Sequence, residues 1–338
     1  MVSSVWLSKK LLFIVAAAVI MGVFLFFNNL YKIDLSLVNL PSAADLKDSY
    51  CSTPTNYVVP PPRIAQADKN AYGQAKTLHK AFVNEEDTQA IKSHEIVLLL
   101  GSNGNTGSFD PSIMDDVFAN RLQYVKEHNY NFEFVDLNGI NMPAVWGKMP
   151  SVIQMMEKYP TAKWIWWLDQ DALIMNNSQS LQDLFLSPEK LKSSLLTDQP
   201  LWSQIITEEK RRTPSAYDNE MIENVEFLIS EDHNGVNAGS FLVKNTETMA
   251  LFMDLLTEPL LVDYKVVRHE QDLIGLMLHH HPQLAAKFGI LPQRYLNAYP
   301  HAPTDMEYHP GDLLVHFAGC WVENKCMDLW EEFKQKLV

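Results

Sequence analysis

The segment KWIWWLDQD, residues 163–171, joins an apolar run to a pair of carboxylates. Trp164–Leu168 is continuously apolar, which is typical of a strand buried on both faces. Asp169 and Asp171 follow directly, and alternate residues at a strand end point the same way. Because open α/β sheets bind ligands outside the carboxyl ends of their strands, the two carboxylates predict a Mn²⁺ or Mg²⁺ site that can take a diphosphate. A solvated acidic turn is the alternative interpretation.

The rest of the pattern predicts an α/β fold with a mainly parallel sheet. A second buried strand, Ile96–Leu100, ends in the turn-rich segment 101–105. Strands that alternate with helical segments are typical of βαβ units. Further strands are predicted at 131–137, 202–206, 240–244 and 313–317, and helices at 111–128, 150–158, 246–256 and 270–280. Residues 207–233 are polar and charged, which favours a long surface loop.

Composition narrows the class of protein. The chain has 338 residues, of which 47% are hydrophobic, so it can bury a substantial core. It carries 27 basic and 41 acidic side chains, and the net charge of −14 repels polyphosphate backbones, which excludes a nucleic-acid partner. Three cysteines are too few for a disulfide scaffold, and they lack the paired spacing of a structural zinc site.

An N-terminal apolar run is predicted to anchor the chain in a membrane. Leu11–Phe27 contains 17 uncharged residues, close to the minimum for a spanning helix, and it follows two lysines. These lysines keep the tail, residues 1–10, in the cytosol, so the rest is translocated in a type II topology. A cleaved signal peptide is the alternative, although the run is long for one. Residues 28–92, with several prolines, are predicted to be a stem, and residues 93–338 the folded domain.

Three further residues lie near predicted strand ends and can bind ions or sugars. His316 follows the apolar residues 313–315, and a neutral imidazole there can supply a third metal ligand. Asn237 and Gly239 lie in the segment 233–241, where glycine permits close backbone approach and an amide can bind sugar hydroxyls. The alternatives are a core histidine and a hairpin turn without a ligand.

Two predicted helix starts carry charged residues. Glu270 and Gln271 begin the helix 270–280, where a carboxylate also suits the helix dipole and needs no other role. Lys148 precedes the helix 150–158 and can neutralise a phosphate, although an ordinary surface lysine fits equally well.

These pieces, in this order, resemble glycosyltransferase family 34, the fungal galactosyl- and mannosyltransferase family. Together they span about residues 95–322. The similar segments are Asn120–Tyr130, Val145–Lys148, Trp164–Met175, Gly235–Phe241, Glu270–Gln271 and His316–Cys320. The resemblance implies a single-domain GT-A fold, a divalent metal, a nucleotide-sugar donor and retention of the α configuration.

The resemblance also implies roles for particular residues. Metal binding falls to Asp169, Asp171 and His316. Donor or acceptor contacts fall to Lys148, Asn237, Gly239, Glu270 and Gln271, with Glu270 or Gln271 beside the reacting carbon.

Within the family the resemblance is strongest to the Golgi α-1,6-mannosyltransferases. It implies a Golgi type II membrane enzyme that moves mannose from GDP-mannose to mannan-type N-glycan chains. The first alternative is α-1,2-galactosyl transfer from UDP-galactose, and the second is a silent subunit that scaffolds a Golgi glycosyltransferase complex. The implied partners are the nucleotide sugar, an oligosaccharide or glycoprotein acceptor, the Golgi membrane and other glycosyltransferase subunits.

The predicted lumenal location bears on the redox state of the cysteines. Cys320 and Cys326 are close together after a predicted buried strand, so in an oxidising lumen they are expected to form a disulfide. Cys51 in the stem would then be free or available for an intermolecular bridge.

Overall fold

The structure, a computed structural model, describes residues 91–203, 205–206, 211–263, 267–303 and 305–337. The predicted tail 1–10, the apolar run 11–27 and nearly all of the predicted stem lie outside the described residues. Among the described residues, no helix is both long enough and apolar enough to cross a membrane.

Strands and helices alternate along the described chain, as the sequence predicts. The strands are β1 (Ile96–Ser102), β2 (Asn131–Asp136), β3 (Trp164–Leu168), β4 (Ala172–Ile174), β5 (Phe227–Asp232), β6 (Gly235–Lys244), β7 (Phe288–Leu291) and β8 (Leu314–His316). The helices are α1 (Ile113–His128), α2 (Lys148–Lys158), α3 (Pro188–Ser194), α4 (Asn219–Asn224), α5 (Glu247–Leu256), α6 (Pro259–Asp263), α7 (Glu270–His280), α8 (Pro282–Ala285), α9 (Gln293–Leu296) and α10 (Cys326–Lys334).

A six-stranded sheet in the order β2-β1-β3-β6-β5-β7 forms the centre of the fold. Three of its pairings are parallel, β1 with β2, β1 with β3 and β5 with β7. Strand β6 runs antiparallel to both of its neighbours, β3 and β5. The α/β prediction is therefore confirmed, but the sheet is mixed. Because β6 is reversed, its first residues lie beside the carboxyl ends of β3 and β5.

The sheet is covered on both faces because its strands are apolar at consecutive positions. In β1, Val97 and Leu99 join one hydrophobic cluster, with side chains from α2, α5 and α7. Ile96 and Leu98 point the other way into a second cluster that includes α1 and α3. All four side chains are fully buried, so the architecture has three layers.

A second, two-stranded sheet carries the residues that follow the acidic turn. Strands β4 and β8 pair antiparallel, with Ala172 opposite His316. Beneath them, Leu173 and Val315 belong to a third hydrophobic cluster that includes Trp330 of α10. The disulfide Cys320–Cys326 closes the turn between β8 and α10, as predicted. This small sheet brings His316 next to the acidic turn that holds Asp169 and Asp171.

Two predictions about the segment before β6 are wrong. In the range 202–206 the described residues make only an isolated bridge, Ser203 with Gly235, and Trp202 is 52% exposed. The predicted loop 207–233 contains α4 and the buried strand β5. Strand β5 was not predicted because its apolar residues, Phe227–Ile229, are flanked by acidic residues. One of these, Glu226, is not a free surface charge, because it pairs with Lys287 at 2.7 Å.

Candidate active site

The two aspartates and His316 come together at the edge where β3 ends and β4 begins. One ligand atom from each of the three side chains lies within 4.8 Å of the others. His316 Nε2 is 3.4 Å from Asp171 Oδ1, because β8 pairs with the strand that starts directly after Asp171. The predicted grouping of Asp169, Asp171 and His316 is therefore present in the fold. Two carboxylates and an imidazole form a donor set that suits Mn²⁺.

A buried amide fixes which nitrogen of His316 faces the aspartates. His316 Nδ1 lies 2.5 Å from Asn297 Oδ1, and the imidazole is buried. An amide oxygen can only accept, so Nδ1 carries a proton, and in the neutral imidazole the lone pair of Nε2 faces the carboxylates. This tautomer fits metal ligation, in which the second ring nitrogen usually donates to an oxygen. The sequence pattern around Asn297 gives no sign of this role.

Arg121 of α1 holds the main chain of the acidic turn through hydrogen bonds. Its guanidinium is buried and donates to the carbonyls of Asp169 at 3.0 Å and Ala172 at 2.8 Å. Burial lowers the pKa of Arg121 to about 9, against the charges of Asp171 and Asp169, so the side chain remains cationic at neutral pH. The role of Arg121 is not predicted from the sequence, although an arginine among the apolar residues of an amphipathic helix is a sign of a buried charge.

Lys148 links two predicted site residues. Its Nζ donates to Asp169 Oδ2 at 2.9 Å and to Ala238 O at 2.9 Å, and it lies 3.0 Å from Glu270 Oε1. These acceptors match the three protons of the buried ammonium group. Burial lowers the pKa of Lys148, but the charges of Asp169 and Glu270 outweigh burial and raise it. Lys148 thus neutralises carboxylates, and its predicted contact with phosphate stays a prediction.

The same environment separates the pKa values of the two aspartates. Burial raises the pKa of Asp169, and the charge of Asp171 adds to this against the opposing effect of Lys148. Burial also acts upward on Asp171, but His316 outweighs it and lowers the pKa of Asp171. A divalent cation bound here would favour the ionised form of both.

Three further predicted residues line the first part of β6 and the start of α7. Asn237 Oδ1 accepts from the N–H of Gly239 at 2.9 Å, and Gly239 O accepts from the N–H of Asp169 at 2.8 Å. Gln271 Oε1 accepts from the N–H of Ala238 at 3.4 Å, and its side chain is partly exposed. The register of β3 with β6, which places Leu168 opposite Ser240, explains this proximity.

Gly239 is required by its neighbour rather than by its own backbone angles. A Cβ at this position would lie 2.2 Å from His316 Cε1 and 2.8 Å from Nε2. Only glycine leaves room for the imidazole. All eight predicted site residues therefore lie in one connected region, around the acidic turn.

Known proteins resemble this chain over most of its length. The profile of the galactosyl transferase GMA12/MNN10 family matches residues 92–327. From Schizosaccharomyces pombe, "Probable alpha-1,2-galactosyltransferase gmh1" is 56% identical over 81% of this chain and 84% of that protein, and "Probable alpha-1,2-galactosyltransferase gmh2" is 41% identical over 93% and 92%. From Saccharomyces cerevisiae, "Probable alpha-1,6-mannosyltransferase MNN10" is 32% identical over 71% and 64%.

Among solved structures, a glycosyltransferase involved in glycosylation of the major capsid of PBCV-1 matches 71% of this chain and 98% of that chain. Its TM-score is 0.44 at 13% sequence identity. The family profile, in contrast, covers nearly all of the described domain, and the first relative spans 81% of this chain at 56% identity. The chain therefore belongs to the galactosyl transferase GMA12/MNN10 family, glycosyltransferase family 34, and is a glycosyltransferase.

Proposed function

We propose that this enzyme transfers galactose from UDP-galactose to a glycan acceptor, forming an α-1,2 linkage with retention of configuration. The observation that carries the proposal is the 56% identity with a relative named as a probable α-1,2-galactosyltransferase, which spans 81% of this chain. The relative named for α-1,6-mannosyl transfer is 32% identical. The sugar preferred from the sequence, mannose, therefore becomes the second candidate, and the first alternative becomes the proposal.

The geometry supports a metal-dependent reaction. Asp169, Asp171 and His316 would hold Mn²⁺ or Mg²⁺, which supplies electrostatic stabilisation of the departing diphosphate. Lys148 keeps Asp169 paired and oriented, and Arg121 holds the main chain on both sides of the turn. These side chains are preorganised by their contacts, which is the condition for effective electrostatic catalysis.

One residue at the start of α7 is the better candidate for contact with the sugar. The carboxylate of Glu270 is buried and forms an ion pair with Lys148, whereas Gln271 is partly exposed. We therefore place the amide of Gln271 beside the reacting carbon, where its dipole would stabilise positive charge on the sugar. Glu270 would act by holding Lys148.

The proposal includes a location and partners. The enzyme would lie in the Golgi membrane as a type II protein, anchored by the apolar run 11–27 with its folded domain in the lumen. Its acceptor would be an oligosaccharide or glycoprotein, and other glycosyltransferase subunits are candidate partners. Support comes from the sequence pattern and the family resemblance.

The deciding experiment measures hydrolysis and transfer by the purified enzyme with UDP-galactose and with GDP-mannose. We expect Mn²⁺-dependent turnover of UDP-galactose, lowered at least about a hundredfold in Asp171→Asn at equal folded protein. The control is Asp198→Asn, because Asp198 is exposed and pairs only with Arg212 among the ion pairs of the described residues. Faster turnover of GDP-mannose would select mannosyl transfer, and no turnover of either donor would select the scaffold subunit.

A further inference from the structure

The structure contains a buried carboxylate, Asp232, that does not belong to the metal-binding group. Asp232 is the last residue of β5 and only 4% exposed. Its Oδ2 accepts from Tyr299 Oη at 2.5 Å and from Asn237 Nδ2 at 2.9 Å, and its Oδ1 accepts from the N–H of Asn234 at 2.6 Å. A buried carboxylate with three donors is held in one orientation and holds its donors in turn.

Asp232 decides which way the amide of Asn237 points. Because Nδ2 of Asn237 donates to Asp232, its Oδ1 must face the opposite side, where it accepts from the N–H of Gly239. The carbonyl of Gly239 accepts from the N–H of Asp169 at 2.8 Å. A continuous chain of hydrogen bonds thus leads from Asp232 through Asn237 and Gly239 to a predicted metal ligand.

Tyr299 connects the same carboxylate to the other side of the metal-binding group. Its ring lies edge-on to the imidazole of His316, with centroids 6.4 Å apart and an angle of 60° between the ring planes. The neighbouring carbonyl of Ala298 accepts from the N–H of His316 at 2.7 Å. Burial and the charge of Asp232 raise the pKa of Tyr299, so its hydroxyl stays protonated and donates.

We propose that Asp232 and Tyr299 form a positioning pair that sets the geometry of Asp169 and His316, through Asn237 and Gly239 on one side and the Tyr299 ring on the other. The inference rests on the metal site of the proposed function. Neither residue of the pair belongs to the ligand group. Outer residues that orient ligands in this way typically contribute about 10–100-fold to metal affinity.

The test measures the dissociation constant of Mn²⁺ alone for the full chain, from the free-ion electron paramagnetic resonance signal, together with the melting temperature. We expect Asp232→Ala to weaken Mn²⁺ binding at least about tenfold, because the amide of Asn237 loses its fixed orientation. Tyr299→Phe should weaken binding by a smaller factor, since it keeps the ring against His316 and removes only the hydroxyl, which donates to Asp232 and accepts from Asn237 Nδ2 at 3.4 Å.

Glu226 provides the matched control at the other end of β5. It is 9% exposed and accepts from Lys287 at 2.7 Å and from Thr246 Oγ1 at 2.8 Å. Glu226→Ala should lower the melting temperature but leave the Mn²⁺ dissociation constant unchanged.

The outcomes separate the positioning pair from the metal site. Wild-type Mn²⁺ affinity in folded Asp232→Ala, or in Tyr299→Phe if the alanine variant does not fold, would overturn the pair. An equal loss of affinity in Glu226→Ala would also overturn it, because the effect would then follow stability. If Asp171→Asn itself binds Mn²⁺ like the wild type, the metal site fails and the pair fails with it.

Discussion

At the scale of single residues, His316 depends on two neighbours of opposite character. Asn297 accepts from Nδ1, so the neutral imidazole carries its proton on Nδ1, while Asp171 lies 3.4 Å from Nε2 and favours a second proton there. Burial lowers the pKa of His316, but the charges of Asp171 and Asp169 outweigh it and raise the pKa above 6.5. The metal-free site therefore attracts a proton to the atom that would bind the cation.

This competition predicts a pH dependence of metal binding. As pH falls through the raised pKa of His316, the imidazolium form grows and apparent Mn²⁺ affinity should fall by up to about tenfold per pH unit. His316→Ala should bind Mn²⁺ at least about tenfold more weakly near pH 8 and lose this part of the pH dependence. Mn²⁺ titrations at about pH 6 and pH 8 check this. A variant that melts earlier but keeps wild-type affinity would show that His316 only packs the strand.

A side chain at position 239 would collide with His316, and this steric conflict gives a testable prediction. In Gly239→Ala the new methyl would lie 2.2 Å from His316 Cε1, so the imidazole must move away from the aspartates. We expect Mn²⁺ affinity to fall at least about tenfold.

Gly275→Ala is the matched control. Its methyl would meet only Val236 at 3.8 Å, and alanine in the middle of α7 should stabilise the protein by about 0.5–1 kcal/mol. Binding isotherms and melting curves of both variants measure the two effects. Unchanged Mn²⁺ affinity in folded Gly239→Ala would show that His316 is not a ligand.

The residues that the sequence identified are those with a local pattern. Asp169 and Asp171 follow an apolar strand directly, and His316 ends another. The rule that ligands bind at the carboxyl ends of strands was therefore sufficient to predict the group. Asn297 and Asp232 were missed because their roles come from contacts between segments far apart in the chain. An isolated polar residue next to a loop gives no signal of such a contact.

At the scale of elements, the reversal of β6 is the feature that the sequence did not predict. The segment Gly235–Gly239 has the composition of a turn, yet it is paired strand and lies against the end of β3. Long-range pairing overrides local propensity here. The same reason accounts for β5, whose acidic neighbours are paired rather than solvated.

The disulfide Cys320–Cys326 gives the prediction for the turn after β8. Both cysteines are buried beside Phe317 and Trp330, and closing so short a loop contributes roughly 2 kcal/mol by chain entropy. The double Cys320→Ser and Cys326→Ser variant should therefore melt roughly 4–8 °C earlier. Cys51→Ser is the control, with no change expected. If alkylation labels both Cys320 and Cys326 in unreduced native protein, the bond is absent in solution.

At the scale of the whole molecule, the three layers place every predicted site residue at one edge of the sheet. The carboxyl ends of β1, β3 and β5 and the start of β6 meet there, and the small sheet β4-β8 closes the edge. The alternation of strands and helices in the sequence was enough to predict this class of architecture. It could not predict the strand order, which depends on pairings across the chain.

The described domain should fold and work without the N-terminal segment. Among the described residues, Ile91 packs against the second hydrophobic cluster and its carbonyl accepts from Gln182 Nε2 at 3.5 Å, and the family profile matches from residue 92 onward. A chain of residues 91–338 should therefore keep the melting temperature and specific activity of the full chain and stay in the supernatant. The full chain should resist carbonate extraction from membranes, because its apolar run 11–27 can span them.

Replacing Ala18 and Gly22 with arginine tests the anchor within the full chain. Each charge at the centre of the run opposes insertion by about 2.5–3.5 kcal/mol, so the double variant should be extracted by carbonate. An N-terminal epitope tag separates the anchor from a cleaved signal peptide, since only an uncleaved anchor keeps the tag on the folded domain. Recovery of the tagged, unsubstituted chain in the carbonate supernatant would contradict the anchor, and loss of the tag from a protease-protected domain would replace it with cleavage.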